Sequence, residues 1–398
     1  MITKKNTLNF NEMNDIILGA HFYACGGGGA LENGLALLEE IKQYFDSDSE
    51  VHVQYINITE VNDNDQLPVL AAMGAPQQFL KKGYNRSPVS AFNTLQSLTT
   101  KTFSALSPVE TGPIAYGMSL LAAAANNIPI LNGDGGGRAF PCLQLSTFAN
   151  VDLDEPISAA PCILTSEKSR QEDGGIITID CQSSVDIDAI TRGIISTSKS
   201  FDQRASLAAF AMTGQQLKQP NACVPDMLLQ SKVLGQKIRE YVSDNLSCFN
   251  AIETLNGSQC MMKGRLNNIY SATNNGFDWV TLEFIDEISN QTFYVIAQNE
   301  NMILWSEKLS TPMAMAPDLI CCISEDATLM SNDEILNAWN KDTQDDRLKN
   351  MAIFTLPAAS QINQPWFHEQ FSNIFKRFGY FGCYRPLQVM NDGDHHAK

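Results

Sequence analysis

Phe103-Ser-Ala-Leu-Ser-Pro-Val109 and Ile128-Pro-Ile-Leu131 flank Pro113-Ile-Ala-Tyr-Gly-Met-Ser-Leu-Leu-Ala-Ala-Ala-Ala-Asn126. The outer segments are short and apolar enough to be buried strands, and the segment from Gly112 to Asn126 is a run of small and aliphatic helix formers. Strand, helix, strand in this spacing predicts a parallel βαβ unit, and hence an α/β fold. In such a sheet the loops beyond the carboxyl ends of the strands collect into the crevice where ligands bind. Glu110 and Asp134 each follow one of the two strands, so both carboxylates are expected at one edge.

Upstream, apolar residues at Met13, Ile16, Ile17 and Ala20 predict a helix that breaks at Cys25-Gly-Gly-Gly-Gly29. A second helix is expected from Leu31 to Phe45. Val51 to Ile58 and Leu67 to Met73 read as strands, and Ser87-Pro88 as a helix start with Ser as N-cap. Downstream, the polar run Ser166-Glu-Lys-Ser-Arg-Gln-Glu-Asp-Gly-Gly175 reads as a boundary, with helical patterns over Val185 to Ala211 and Pro225 to Val242. From Ser258 to Cys322 the texture turns to β, with strand-like segments between Asn/Gly turns. The expected division is an N-terminal α/β domain over 1–170 and a C-terminal portion over 171–398, helical at about 185–243 and β-rich at about 258–335.

The 398 residues carry a formal charge of −17 and no Lys/Arg run, so a nucleic-acid backbone or an anionic membrane surface is not an expected partner. The amino terminus lacks a signal-like apolar segment, and the longest apolar stretch is too short to span a bilayer, so a cytoplasmic location is expected. Ten cysteines scattered through apolar segments of a chain this long are expected to be reduced. No metal-ligand spacing is present, the adjacent His395-His396 read as a solvated tail, and no cofactor or metal is expected.

Four consecutive glycines, Gly26, Gly27, Gly28 and Gly29, cost roughly 1 kcal/mol each relative to alanine in an ordered element. Glycines leading into a helix let backbone N–H groups approach an anion or oxyanion, although a plain hinge is the alternative. The loop matches neither a Walker A sequence nor GxGxxG after a strand, so nucleotide binding is not supported. Cys25 is a candidate nucleophile beside these N–H groups, or a small buried residue. Glu110 and Asp134 are candidate acid–base groups, with capping and turn formation as the alternatives. Thr111, Gly112, Gly135 and Gly136 complete the loops. Arg138 suits either a planar carboxylate ligand or a salt bridge with Asp134. Cys142 and Glu32 are weaker candidates, for packing and a solvated face respectively.

Taken in order, these landmarks resemble the S-methyl thiohydantoin desulfurase-like family, whose members often accompany hydantoinase/oxoprolinase-type proteins. The resemblance rests on the Cys25 to Gly29 loop with Gly34, Met73-Gly-Ala-Pro76, Glu110-Thr-Gly112 and Asn132-Gly-Asp-Gly-Gly-Gly-Arg-Ala-Phe-Pro141. It continues through Met262-Lys-Gly-Arg265, Gln298-Asn-Glu300 and Ala316-Pro-Asp-Leu-Ile320. It implies a three-layer N-terminal α/β domain and a second portion containing a β-barrel-like domain. It further implies hydrolytic removal of an S-methyl group from an S-methyl thiohydantoin, giving a hydantoin and methanethiol. A ring-opening cyclic amidohydrolase and a non-catalytic subunit of a hydantoinase-like complex are the alternatives; the partner in each case is a small hydantoin-like molecule, and homo-oligomerisation is left open. The chain departs from the family pattern at Cys142, where an acidic residue is usual, and at Leu131-Asn132, where an acid commonly precedes Gly133.

Overall fold

The computed structural model describes residues 6–74, 86–166, 174–274 and 277–387. The chain divides into two compact units: one runs to Ala24 and from Gly28 to Gln236, and the other comprises Cys25–Gly27 and the chain from Lys237 onward.

In the first unit, β1 (Thr7–Asn9), β2 (His52–Ile56) and β5 (Ile130–Leu131) form one sheet, and β4 (Ser107–Pro108), β3 (Gln66–Gly74), β9 (Arg204–Thr213), β7 (Cys162–Thr165) and β8 (Ile176–Ile179) form another, in those orders. A parallel bridge, Leu106 to Ile130, joins them. It is made by Leu106 N–H donating to Pro129 O (3.2 Å) and Leu131 N–H donating to Leu106 O (2.8 Å). β2 pairs with β5 and β3 with β4 in parallel, so four neighbouring strands share one direction. The strand–helix–strand reading of 103–131 therefore holds, with the helix between β4 and β5 spanning Pro113–Asn126.

The helices of this unit are α1 (Phe10–Tyr23), α2 (Leu31–Ile41), α3 (Ser87–Thr99), α4 (Pro113–Asn126) and α5 (Ser184–Thr197). α1 starts on a capping box, in which Glu12 N–H donates to Asn9 Oδ1 and Asn9 N–H donates to Glu12 Oε2. Small residues let α2 and α4 approach closely: a Cβ on Gly117 would lie 2.8 Å from Leu37 Cδ1. Leu70, Ile163 and Ala208 face a core shared with Leu37, Phe92 and Tyr116. Their strand neighbours Val69, Ala71, Leu164 and Leu207 alternate to the opposite face and are also buried, with α5 lying against β3. Both sheet faces are covered, which is the three-layer arrangement.

Two expectations change. Arg204–Thr213 is strand β9, not the continuation of a helix from Val185, because it pairs with β3 on one side and β7 on the other. That pairing overrides the helical propensity of its alanines. Through this pairing residues 174–236 pack with the first unit. At a smaller scale, the cap of α3 is Arg86, and Ser87 is its first helical residue. Ala75-Pro76, most of the 166–175 polar run and His395-His396 lie outside the described residues.

The second unit is dominated by an antiparallel seven-stranded sheet in the order β15 (Ala314–Met315), β14 (Glu300–Ser306), β13 (Thr292–Gln298), β12 (Phe277–Asp286), β11 (Gln259–Asn274), β17 (Met351–Leu356), β16 (Leu319–Ser324). It curls into a half-barrel. Alternate residues Val280, Leu282 and Phe284 on β12, and Phe293, Val295 and Ala297 on β13, point into its core with Ile335 and Ala338 of the helix Asn332–Lys341. β17 falls beyond the β-rich stretch read from the sequence. None of the ten cysteines, all of them among the described residues, is in a disulfide. Burial pushes the thiols of Cys162 and Cys248 up to about 12. No helix among the described residues is long and apolar enough to cross a membrane.

Candidate functional site

Within the first unit, the loops after β4 and β5 meet the chain entering α2. Gly112 is the N-cap of α4, and a Cβ on it would lie 3.1 Å from Gly28 Cα. Gly28 has φ +65°, a left-handed conformation open to glycine, and its carbonyl accepts from Ile114 N–H (3.1 Å). Gly28, Gly29, Glu110, Thr111, Gly112 and the loop from Gly133 to Phe140 are thereby brought together.

Asp134 ties these loops. Its carboxylate is fully buried and accepts from Gly136 N–H (2.9 Å), Gly137 N–H (2.7 Å), Tyr116 OH (2.7 Å) and the Thr111 hydroxyl. Burial raises its pKa, and the four donors pull it back down. Burial and the neighbouring Asp134 charge push the Tyr116 phenol well up, so it stays a donor. Asp134 draws its partners from this set, so the loop closes without the Asp134–Arg138 salt bridge that the sequence offered as one reading. The Arg138 side chain is fully buried and its Nε donates to Ala139 O (3.1 Å).

Glu110 differs from Asp134 in access. It is half-buried, and its Oε2 accepts from Phe140 N–H (2.9 Å), while Thr111 N–H donates to Arg138 O (3.3 Å). Of the two carboxylates, Glu110 is the less buried. Asn132 braces the same loop by donating to Asn57 Oδ1 (2.8 Å) and Asp226 Oδ1 (2.9 Å). Cys142 is buried and Glu32 exposed. Tyr116 was not singled out from the sequence, because an aromatic in an apolar helix signals core and its hydroxyl partner lies beyond the next strand.

Cys25, Gly26 and Gly27 belong to the second unit. Cys25 is fully buried with φ +53°, its carbonyl accepts from Asn301 N–H (2.7 Å), and its Sγ lies 3.9 Å from Cys321 Sγ. Gly26 O accepts from Asn332 N–H (2.8 Å). Cys25 follows the carboxyl end of α1, the negative end of that helix, which does not favour an anion. Among the described residues, no group of three or more His, Cys, Asp or Glu is placed to hold a metal ion.

A crystal structure of a protein from Chromobacterium violaceum superposes with a TM-score of 0.79 at 22% identity, covering 96% of this chain and 100% of that one. That likeness is one of fold. No curated protein matches. Two family models match, the S-Me-THD-like N-terminal domain over residues 11–172 and the S-Me-THD-like C-terminal domain over residues 182–337. Matched in order by both of its domains over most of its length, the chain belongs to the S-Me-THD-like family.

Proposed function

We propose that this chain is a hydrolase that replaces the S-methyl group of an S-methyl thiohydantoin by water, giving a hydantoin and methanethiol. Membership of the S-Me-THD-like family supports the ring class. The observation that carries the mechanism is the Glu110 carboxylate, held by Phe140 N–H and only half-buried at the carboxyl end of a parallel strand.

In this reading water attacks the ring carbon that bears sulfur. Glu110 takes a proton from the attacking water, the C–S bond breaks, and methanethiolate leaves with that proton as methanethiol. The hydroxyl left on that carbon passes its proton to the adjacent ring nitrogen as the new C=O forms, so atoms and charge balance. Asp134 does not move the proton: its four donors and full burial make it the group that positions the loops beside Glu110. Attack is assigned to water because the Cys25 thiol is enclosed against Cys321.

Glu110→Gln keeps the shape and the Phe140 contact and removes the base. It is expected to lower turnover by about 10²–10⁴-fold with substrate binding retained. Unchanged turnover in this variant would remove Glu110 from the chemistry.

A further inference from the structure

Gln298 ends β13 fully buried, yet neither polar atom of its carboxamide has a hydrogen-bond partner among the described residues. A buried donor and acceptor left without partners is a standing cost that a leucine of similar shape would not carry. The segment is not slack. Asn299 next to it has φ +58°, its N–H donates to Asp278 O (2.7 Å), and its Oδ1 accepts from Asp278 N–H (2.9 Å).

A second orphan, at the start of the helix Asn332–Lys341, hydrogen-bonds to the same turn. Asn332 is 4% exposed, its Nδ2 donates to Asn299 O (2.8 Å), and its Oδ1 has no hydrogen-bond partner among the described residues. The Cys25–Gly27 backbone runs against this group: a Cβ on Gly26 would lie 2.8 Å from both polar atoms of the Asn332 carboxamide, and one on Gly27 would overlap the Glu300 carboxylate. Gln298 and Glu300 are cross-strand partners and so share a face of the sheet. Glycine at 26 and 27 is what admits the backbone beside these side chains.

We propose that Gln298, with Asn332, forms a binding site in the second unit for a planar cyclic amide. A carboxamide carries a donor and an acceptor side by side. It is complementary to a ring in which N–H and C=O are forced onto one edge, as in hydantoins and cyclic imides. An open-chain trans amide points the two groups in opposite directions and cannot satisfy both. This inference takes from the function proposed above only the ring class, a hydantoin or a related cyclic amide, and places a site for it in the second unit.

The test is calorimetric binding of hydantoin, succinimide and N-methylsuccinimide to the full chain and to Gln298→Leu and Gln298→Glu. Wild type is expected to bind the first two and to bind N-methylsuccinimide about 10–100-fold more weakly. Gln298→Leu is expected to weaken succinimide to the N-methylsuccinimide level and abolish the discrimination, with a ligand-free Tm no lower than wild type. Gln298→Glu keeps the acceptor, loses the donor, and should weaken binding similarly. Failure of wild type to bind hydantoin or succinimide, discrimination retained in either variant, or a lowered Tm with unaltered binding, as for an amide that only holds buried water, would overturn the site. Binding without turnover would instead sink the hydrolase reading and leave this one standing.

Discussion

Asp134 and Cys25 show how far burial decides what a reactive side chain does. Asp134 has an acceptor for each of four donors, so Asp134→Ala leaves two N–H groups and two hydroxyls unpaired and is expected to cost about 3–5 kcal/mol in denaturant unfolding. Asp134→Asn keeps an acceptor for the two N–H groups and should cost roughly 1–2 kcal/mol. Because burial raises the folded-state pKa of Asp134, its contribution is fully present below the ordinary carboxylate pKa and is lost as pH rises through the folded value. The deficit of Asp134→Asn should therefore shrink between pH 4 and pH 8; a deficit that grows would mean the ionised form is favoured. For Cys25, full burial against Cys321 predicts that Cys25→Ala keeps turnover within a few-fold of wild type. A loss of several orders of magnitude with binding intact would assign attack to the thiol instead.

At the level of elements, the βαβ unit was legible because a helix of small residues between two short apolar runs has few other solutions. Its tail end was not: the alanine-rich Arg204–Thr213 carries helix propensity, and only the distant partners Leu70 and Ile163 make it a strand. The convergence of Glu110 and Asp134 followed from strand order, whereas the difference in their exposure depends on Tyr116, Thr111 and Phe140 arriving from other elements. The helix Asn332–Lys341 has a clear sequence start, a Ser331–Glu334 capping box. Its first turn also holds Asp333, whose carboxyl is pushed up to about 6 by burial and then by the charges of Asp278 and Glu334. A raised acid stabilises the fold below about pH 4 and loses that contribution as pH passes about 6. Asp333→Asn is accordingly expected to gain about 2 kcal/mol on wild type at pH 8 relative to pH 4, measured by urea unfolding at both values. No change in the difference between the two pH values would place Asp333 in solvent.

On the scale of the whole molecule, the tetraglycine loop divides its residues between the two units: Cys25, Gly26 and Gly27 go with the β-rich one, Gly28 and Gly29 with the α/β one. No local pattern announces this, since it depends on Asn301 and Asn332, hundreds of residues away, donating to the Cys25 and Gly26 carbonyls. On the function proposed here, the intact chain by itself exchanges sulfur for oxygen on a ring it leaves closed. The decisive measurement is incubation of the purified protein with an S-methyl thiohydantoin in ¹⁸O-labelled water, with thiol and ring products followed by mass spectrometry. Methanethiol and closed hydantoin are expected in equal amounts, with one labelled oxygen at the former C–S carbon, and both products are expected to be lost in Glu110→Gln. A ring-opened product that retains its sulfur, or no product from the chain alone, would contradict the proposed function.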